Sequence, residues 1–184
     1  MNIARNFTWK EIAGSSGLTE RTANPRTVLM AGALALTLQT IRDSIGGHPI
    51  RITGGMRTVA SSANIAASGG APSSTSDHFF AENPAIPLSV GAVDIISAGP
   101  LSTWEFFNRI LMLKYNGIIQ TGQLLLEHNP DTGSTWVHLA NDPRLLLSSA
   151  DLAKRSANSV SLVAMSPDNG KTFKAIEQGR FWEG

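Results

Sequence analysis

The sequence predicts an α+β fold, and three observations carry that expectation. Two apolar runs have helix-start signals in front of them, several short runs alternate apolar and polar residues as strands do, and glycine pairs or turn-rich segments divide the two kinds. At 184 residues, one main domain is expected over 1–145, with a small extension over 146–184.

Taken in order, Asn24-Pro25 precedes the apolar run Val28–Leu38, "VLMAGALALTL". Asn can cap free N–H groups and Pro at the first helical position forfeits no hydrogen bond, so a helix is predicted over about 25–46, ended by Gly46-Gly47. The run is too short to cross a bilayer, so it reads as a core helix and no membrane span is expected. "HPIRIT" reads as a short strand, and Gly54-Gly55 as a break that delivers Met56 and Arg57 to a junction. "RTVASSANIAAS" follows as a small helix stopped by Gly69-Gly70.

"GAVDIIS" is a second strand, with Ala92, Asp94 and Ile96 on one face and Val93 and Ile95 on the other. Asp94 thus stands where a strand usually places a core residue. Ser102 and Glu105 form a capping box before "TWEFFNRILMLKY", a buried helix over about 103–115 that ends near Asn116-Gly117. "GQLLLEH", "NPDTGS" and "TWVHLA" make a β-hairpin with Glu127 and His138 on its two arms. The tail predicts another hairpin from Ser159 to about Ile176. Its turn, "SPDNGKTF", resembles the Asp-box of several β-proteins, with Asp168 and Gly170 shaping the backbone.

Fifteen basic against fourteen acidic residues give a net charge of +1, and no Lys/Arg cluster is dense enough to follow a phosphate backbone, so nucleic acid is not an expected partner. The absence of cysteine excludes disulfides and thiolate sites; a metal must be held by His, Asp or Glu. The opening "MNIARNFTWKEIA" lacks the order of a signal peptide, so action outside the cell of synthesis would need another means of delivery.

There are four histidines. His48, at a strand start before Pro49, is given no role. His128 follows Glu127, so strand alternation aims it at the opposite face, and it is a reserve ligand only. His78 and His138 have recognisable settings. The run "ITGGMR…N…GGAPSSTSDH…GAVD", followed by "QLLLE…WVHLA", resembles the M15 family of zinc D-Ala-D-Ala carboxypeptidases and endolysin-type endopeptidases. It is most similar to the branch often found in bacteriophages. Counterparts of that branch's features are "FTWKEIA", Asn24, Gly54 to Arg57, Gly69 to Asp94, and Glu127 to Leu139, in order over about residues 7–140.

The resemblance implies a small, mainly antiparallel sheet that carries a zinc site and is packed by the two main helices, with the C-terminal hairpin as an extension. It implies His78, Asp94 and His138 as zinc ligands, Glu127 as general base, Arg57 as a substrate-anchoring cation and Ser76 as a substrate contact. Chemistry agrees, since two imidazoles and a carboxylate leave the fourth position of a catalytic zinc open.

Two spacings depart from the family pattern. His78 and Asp94 are sixteen positions apart, with "AENPAIPLS" as the apparent extra piece, expected as a flap over the cleft or a contact with a neighbouring subunit. Closing the longer loop costs well under ~1 kcal/mol. Glu127 and His138 are eleven apart, because the hairpin tip is longer. Other members place the base three residues before the last His, which is Thr135 here, and Asp131 is the fallback for Glu127. Trp136 is read as core or cleft wall, and Trp9, Trp104 and Trp182 as structural.

Two functional classes follow from the resemblance. One is a zinc peptidase cutting peptidoglycan stem or cross-link peptides, held in a virion or in host cytoplasm and released to the cell wall at lysis. The other is a virion tail or connector protein that keeps the fold, with phage structural proteins or further copies of itself as partners.

Overall fold

The computed structural model describes residues 2–67, 76–156, 160–169 and 171–176. The short strands β1 (Asn2–Ala4) and β2 (Phe7–Thr8) pair antiparallel, and Thr8 then opens α1 (Trp9–Ala13) through a capping box with Glu11. Asn24 caps α2 (Pro25–Ser44) as its sequence predicts, its side chain accepting from the Arg26 amide at 2.9 Å. This helix buries one face, including Met30, Leu34, Leu38 and Ile41, while Leu29 and Leu36 on the other side are 70% and 63% exposed. It therefore covers the core rather than running through it.

Next come β3 (Ile50–Gly54), α3 (Val59–Ala67) and β4 (Ala92–Ser97). The expected stop of α3 at Gly69-Gly70 lies outside the described residues. Ser102 and Glu105 cap α4 (Thr103–Tyr115) reciprocally, and α4 buries Phe106, Phe107, Ile110 and Leu111. The predicted hairpin is β5 (Thr121–Asn129) and β6 (Ser134–Asn141), followed by the short α5 (Pro143–Leu146) and α6 (Ser149–Leu152). The chain then forms β7 (Leu162–Ser166) and β8 (Lys174–Ala175).

The main sheet has the order β3-β4-β6-β5-β7-β8. Its pairings are antiparallel except β5 with β7, which is parallel, so this α+β fold has a mixed, mainly antiparallel sheet. The chain beyond residue 145 thus supplies two strands to the same sheet. In the β7–β8 turn the Asp168 carboxylate accepts from the Thr172 amide and hydroxyl and from Ser166 Oγ, a structural part like that of an Asp-box. Gly170 of that turn, Ser159 and Trp182 lie outside the described residues.

Strand alternation gives the sheet two different faces. Val93, Ile95, Leu124, Leu126, Val137 and Leu139 point into one core with α2 and α4. Inside that core, the Asn141 side-chain amide donates to the Met30 and Val90 carbonyls, fixing the sheet to α2. Among the described residues no helix is long and apolar enough to cross a membrane.

Gly55 is where β3 touches α1. The Met56 amide donates to the Ile12 carbonyl at 2.8 Å, and a Cβ on Gly55 would lie 2.4 Å from that carbonyl oxygen. Gly55→Ala is expected to destabilise the fold by about 1–3 kcal/mol, since backbone must move to admit the methyl. Gly32→Ala is expected to stabilise it by about 0.5–1 kcal/mol, because Gly32 is inside α2 and its Cβ would meet nothing within 4 Å. Denaturant titration of the two variants checks both signs.

Candidate metal centre

The face of the sheet turned away from the core forms the floor of a cleft of about 780 Å³. Three elements bring side chains to it. A one-turn 3-10 helix, Asp77–Phe79, carries His78; Ser76 Oγ caps it by accepting from the His78 amide, and the Arg57 amide donates to the His78 carbonyl at 2.8 Å. β4 supplies Asp94, and β6 supplies His138 directly across from it. On the other side Asp94 is paired with Gly54, where a Cβ would lie 2.3 Å from its Oδ2. A side chain at residue 54 would displace the carboxylate.

The ligand atoms converge. Asp94 Oδ1 is 3.3 Å from His78 Nε2 and 3.0 Å from His138 Nδ1, and one donor atom from each of the three residues lies within 4.8 Å of the others. A tetrahedral ion with bonds of about 2.0–2.1 Å separates its ligands by about 3.3–3.4 Å. The three residues are therefore close enough to bind a metal ion. His78 Nδ1 lies 3.0 Å from the Gly55 carbonyl, which can only accept, so Nδ1 carries a proton and Nε2 is the ring atom turned towards Asp94. An unprotonated Nε2 and an ionised carboxylate are both acceptors, so at that distance they need a cation between them, either a proton or a metal.

Electrostatics describe the same site. Burial opposes ionisation of Asp94, but the charge of His78 and hydrogen bonds from both imidazoles outweigh it and hold the carboxyl far below its usual range. Burial also opposes protonation of His138, yet the hydrogen bond and charge of Asp94, with Glu127 adding to them, push its pKa above the ordinary imidazole value. Glu127 is raised by burial and by the charge of Asp94, against the opposing pull of His138.

All six residues singled out by sequence line this one cleft: Arg57, Ser76, His78, Asp94, Glu127 and His138. Glu127 is the cross-strand partner of Trp136, and Leu125 that of His138, so Glu127 shares the ligand's face as its diagonal neighbour, about 7–8 Å away. Arg57 Nη2 is 3.8 Å from Asp94 Oδ2. His128 faces the other way and bonds Thr135 Oγ1, and Asp131 is exposed at the hairpin tip, so neither reserve candidate joins the site. The "AENPAIPLS" segment forms a wall of the cleft and is fastened at several points. Glu82 accepts from the Asn24 amide, Arg26 donates to the Pro87 carbonyl, Ser89 Oγ donates to the Asp77 carbonyl, and Ile86 and Leu88 line the cleft.

Sequence reasoning missed Asp77 and Arg155. The Arg155 guanidinium makes a two-pronged bond to the Asp77 carboxylate at 2.8 and 3.1 Å, with both side chains under a tenth exposed. A polar residue beside His78 was the only local signal; nothing in sequence points to its partner 78 positions away. Comparisons with protein-family models, curated proteins and solved structures find no significant match to the chain, so the reading of the site stands on its own residues.

Because Asp94 stays ionised well into acid, the protons that compete with a metal are those on imidazole, and His138 holds its proton to higher pH than an ordinary imidazole does. Zinc affinity is expected to fall as pH drops through the imidazole range, by up to about tenfold per pH unit for each proton displaced, and to level off above it. Competition with a chromogenic chelator across pH measures this; a flat profile through the same range would contradict it.

Proposed function

We propose that the protein is a zinc-dependent peptidase of the M15 type that cleaves peptidoglycan stem or cross-link peptides. One observation carries the reading: His78, Asp94 and His138 converge on the floor of a cleft that also holds Glu127 and Arg57. His78 through Nε2, His138 through Nδ1 and Asp94 through its carboxylate would hold the ion. When bound, zinc supplies the Lewis acidity that amide hydrolysis needs.

The chain's own groups supply the rest. Glu127 accepts a proton from the attacking water at its carboxylate and returns it to the nitrogen of the departing amine. Its burial, which raises its proton affinity, suits it to that exchange near neutral pH. Arg57 offers a planar, two-pronged donor to a peptide carboxylate or to negative charge developing on the scissile carbonyl. Ser76, at the cleft edge beside His78, has a hydroxyl that can contact the same substrate.

The test uses purified protein, its zinc content and purified peptidoglycan as substrate. Wild type is expected to carry zinc and release peptides, and Glu127→Gln to keep the zinc while losing about 10²-fold or more of the rate. Zinc without peptide release from wild type would remove the enzyme and leave a virion structural part that retains the site. Absence of zinc, with no thermal stabilisation on adding it, would remove the metal centre as well.

A further inference from the structure

The cleft has one charged pair whose work is not explained by binding metal or substrate. Asp77 and Arg155 are both almost wholly buried, and each makes further bonds that converge on the His78 turn. Asp77 Oδ1 accepts from the Val90 amide at 3.0 Å, and its backbone carbonyl accepts from Ser89 Oγ and from the Phe80 amide. Arg155 also donates to the Leu88 carbonyl at 2.5 Å. One guanidinium therefore clamps the turn that carries His78 to the loop that returns to Asp94. It does so from the segment after α6, far along the chain from both.

Burying two ions is costly, and the cost is recovered only when geometry and extra hydrogen bonds are good. Here the bonds from Arg155 to Asp77 and Leu88 go to a carboxylate next to His78 and to a carbonyl inside the loop joining His78 to Asp94. An apolar pair would pack the same volume but would add no directional hold to a single-turn helix whose internal backbone bonds are Phe79 to Ser76 and Phe80 to Asp77, with the Arg57 amide on the His78 carbonyl as its backbone tie to the strand side. His78 has its ring fixed at one end by Gly55; the other end is aimed only as well as the turn is held.

We propose that Asp77 and Arg155 are positioning residues for the metal centre, so that docking of the C-terminal segment completes the site. This inference rests on the metal-binding reading above. The double variant Asp77→Asn/Arg155→Met removes both charges together and leaves no buried ion alone; Arg155→Lys keeps the charge but not the fork. In full-length protein, zinc affinity of the double variant is expected to fall by about tenfold or more, as for other residues that orient ligands from behind, with Arg155→Lys in between. Thermal melting checks that each variant is folded, and hydrogen exchange of the metal-free proteins is expected to quicken at the Phe79 and Phe80 amides while α4 is unchanged. Zinc affinity equal to wild type in the folded double variant would overturn the proposal, whatever the exchange rates. If wild type binds no zinc, the function proposed above falls, and exchange alone decides: unchanged protection of the turn overturns the clamp too.

Discussion

A carboxylate in the middle of a sheet is the constraint to which the rest of this protein answers. Asp94 is on an interior strand, with hydrogen-bonded neighbours on both sides, so water cannot reach it along the sheet edge. Left unpaired there, an ionised group costs several kcal/mol or gives up its charge. Its neighbours are accordingly of two kinds: a glycine with no side chain on β3, which leaves room, and a histidine on β6, which supplies a donor. His78 and Arg57 complete the surround from outside the sheet. The register is specified as strongly as the charge, because a slip of one residue would put Asp94 into the apolar core shared with α2 and α4 and bring Val93 or Ile95 into the cleft.

The same constraint explains why the cleft has walls on both sides. A sheet face bearing histidines and carboxylates cannot be covered by helices as the opposite face is, yet exposed fully it would hold a metal weakly. The 80–91 loop supplies one wall, tied down by α2 through Asn24 and Arg26, and β7 with β8 supplies the other. Arg155, on the segment after α6, bonds the Leu88 carbonyl of that loop and Asp77 of the His78 turn. At the far end, the Asn169 amide donates to the His128 carbonyl, so the β7–β8 turn is fastened to the β5–β6 hairpin that presents Glu127. Elements far apart in sequence thus hold each side of the cleft at fixed distance from its floor.

What was legible in the sequence is what depends on near neighbours. Asn24-Pro25 and Ser102 with Glu105 start their helices by local hydrogen bonds, and the alternation around Asp94 places it opposite Val93 and Ile95 whatever the sheet order. The grouping of His78, Asp94 and His138 was legible through residue order, even with the loop between His78 and Asp94 lengthened, since the loop changes how far the chain travels and not where the ends meet. Illegible were features decided by distant partners. The parallel addition of β7 to β5 needs a crossover through α5 and α6, and an apolar run such as "SLVAM" is consistent with an edge hairpin or with a strand of the main sheet. The Asp77–Arg155 pair leaves no periodic signature. The fastening of "AENPAIPLS" was illegible for the same reason, because its anchors are Asn24, Arg26 and Arg155.

Strand geometry also narrows which carboxylate can move a proton at this site. In a strand, an odd separation puts two side chains on opposite faces, so a residue three before His138 cannot share its face while β6 stays extended. Thr135 obeys this and bonds His128 behind the sheet. Under the hydrolysis proposed above, a base carried by the sheet would therefore come from the neighbouring strand, at an even offset from the residue facing His138. That residue is Leu125, and two further on is Glu127. Of the carboxylates lining the cleft among the described residues, Asp94 belongs to the ligand set and Asp77 is held by Arg155. Glu127 is the remaining one, and in the proposed hydrolysis it is the group that would take a proton and give it back; the longer hairpin tip lies beyond the paired arms, leaving Glu127 across from Trp136 and Leu125 across from His138.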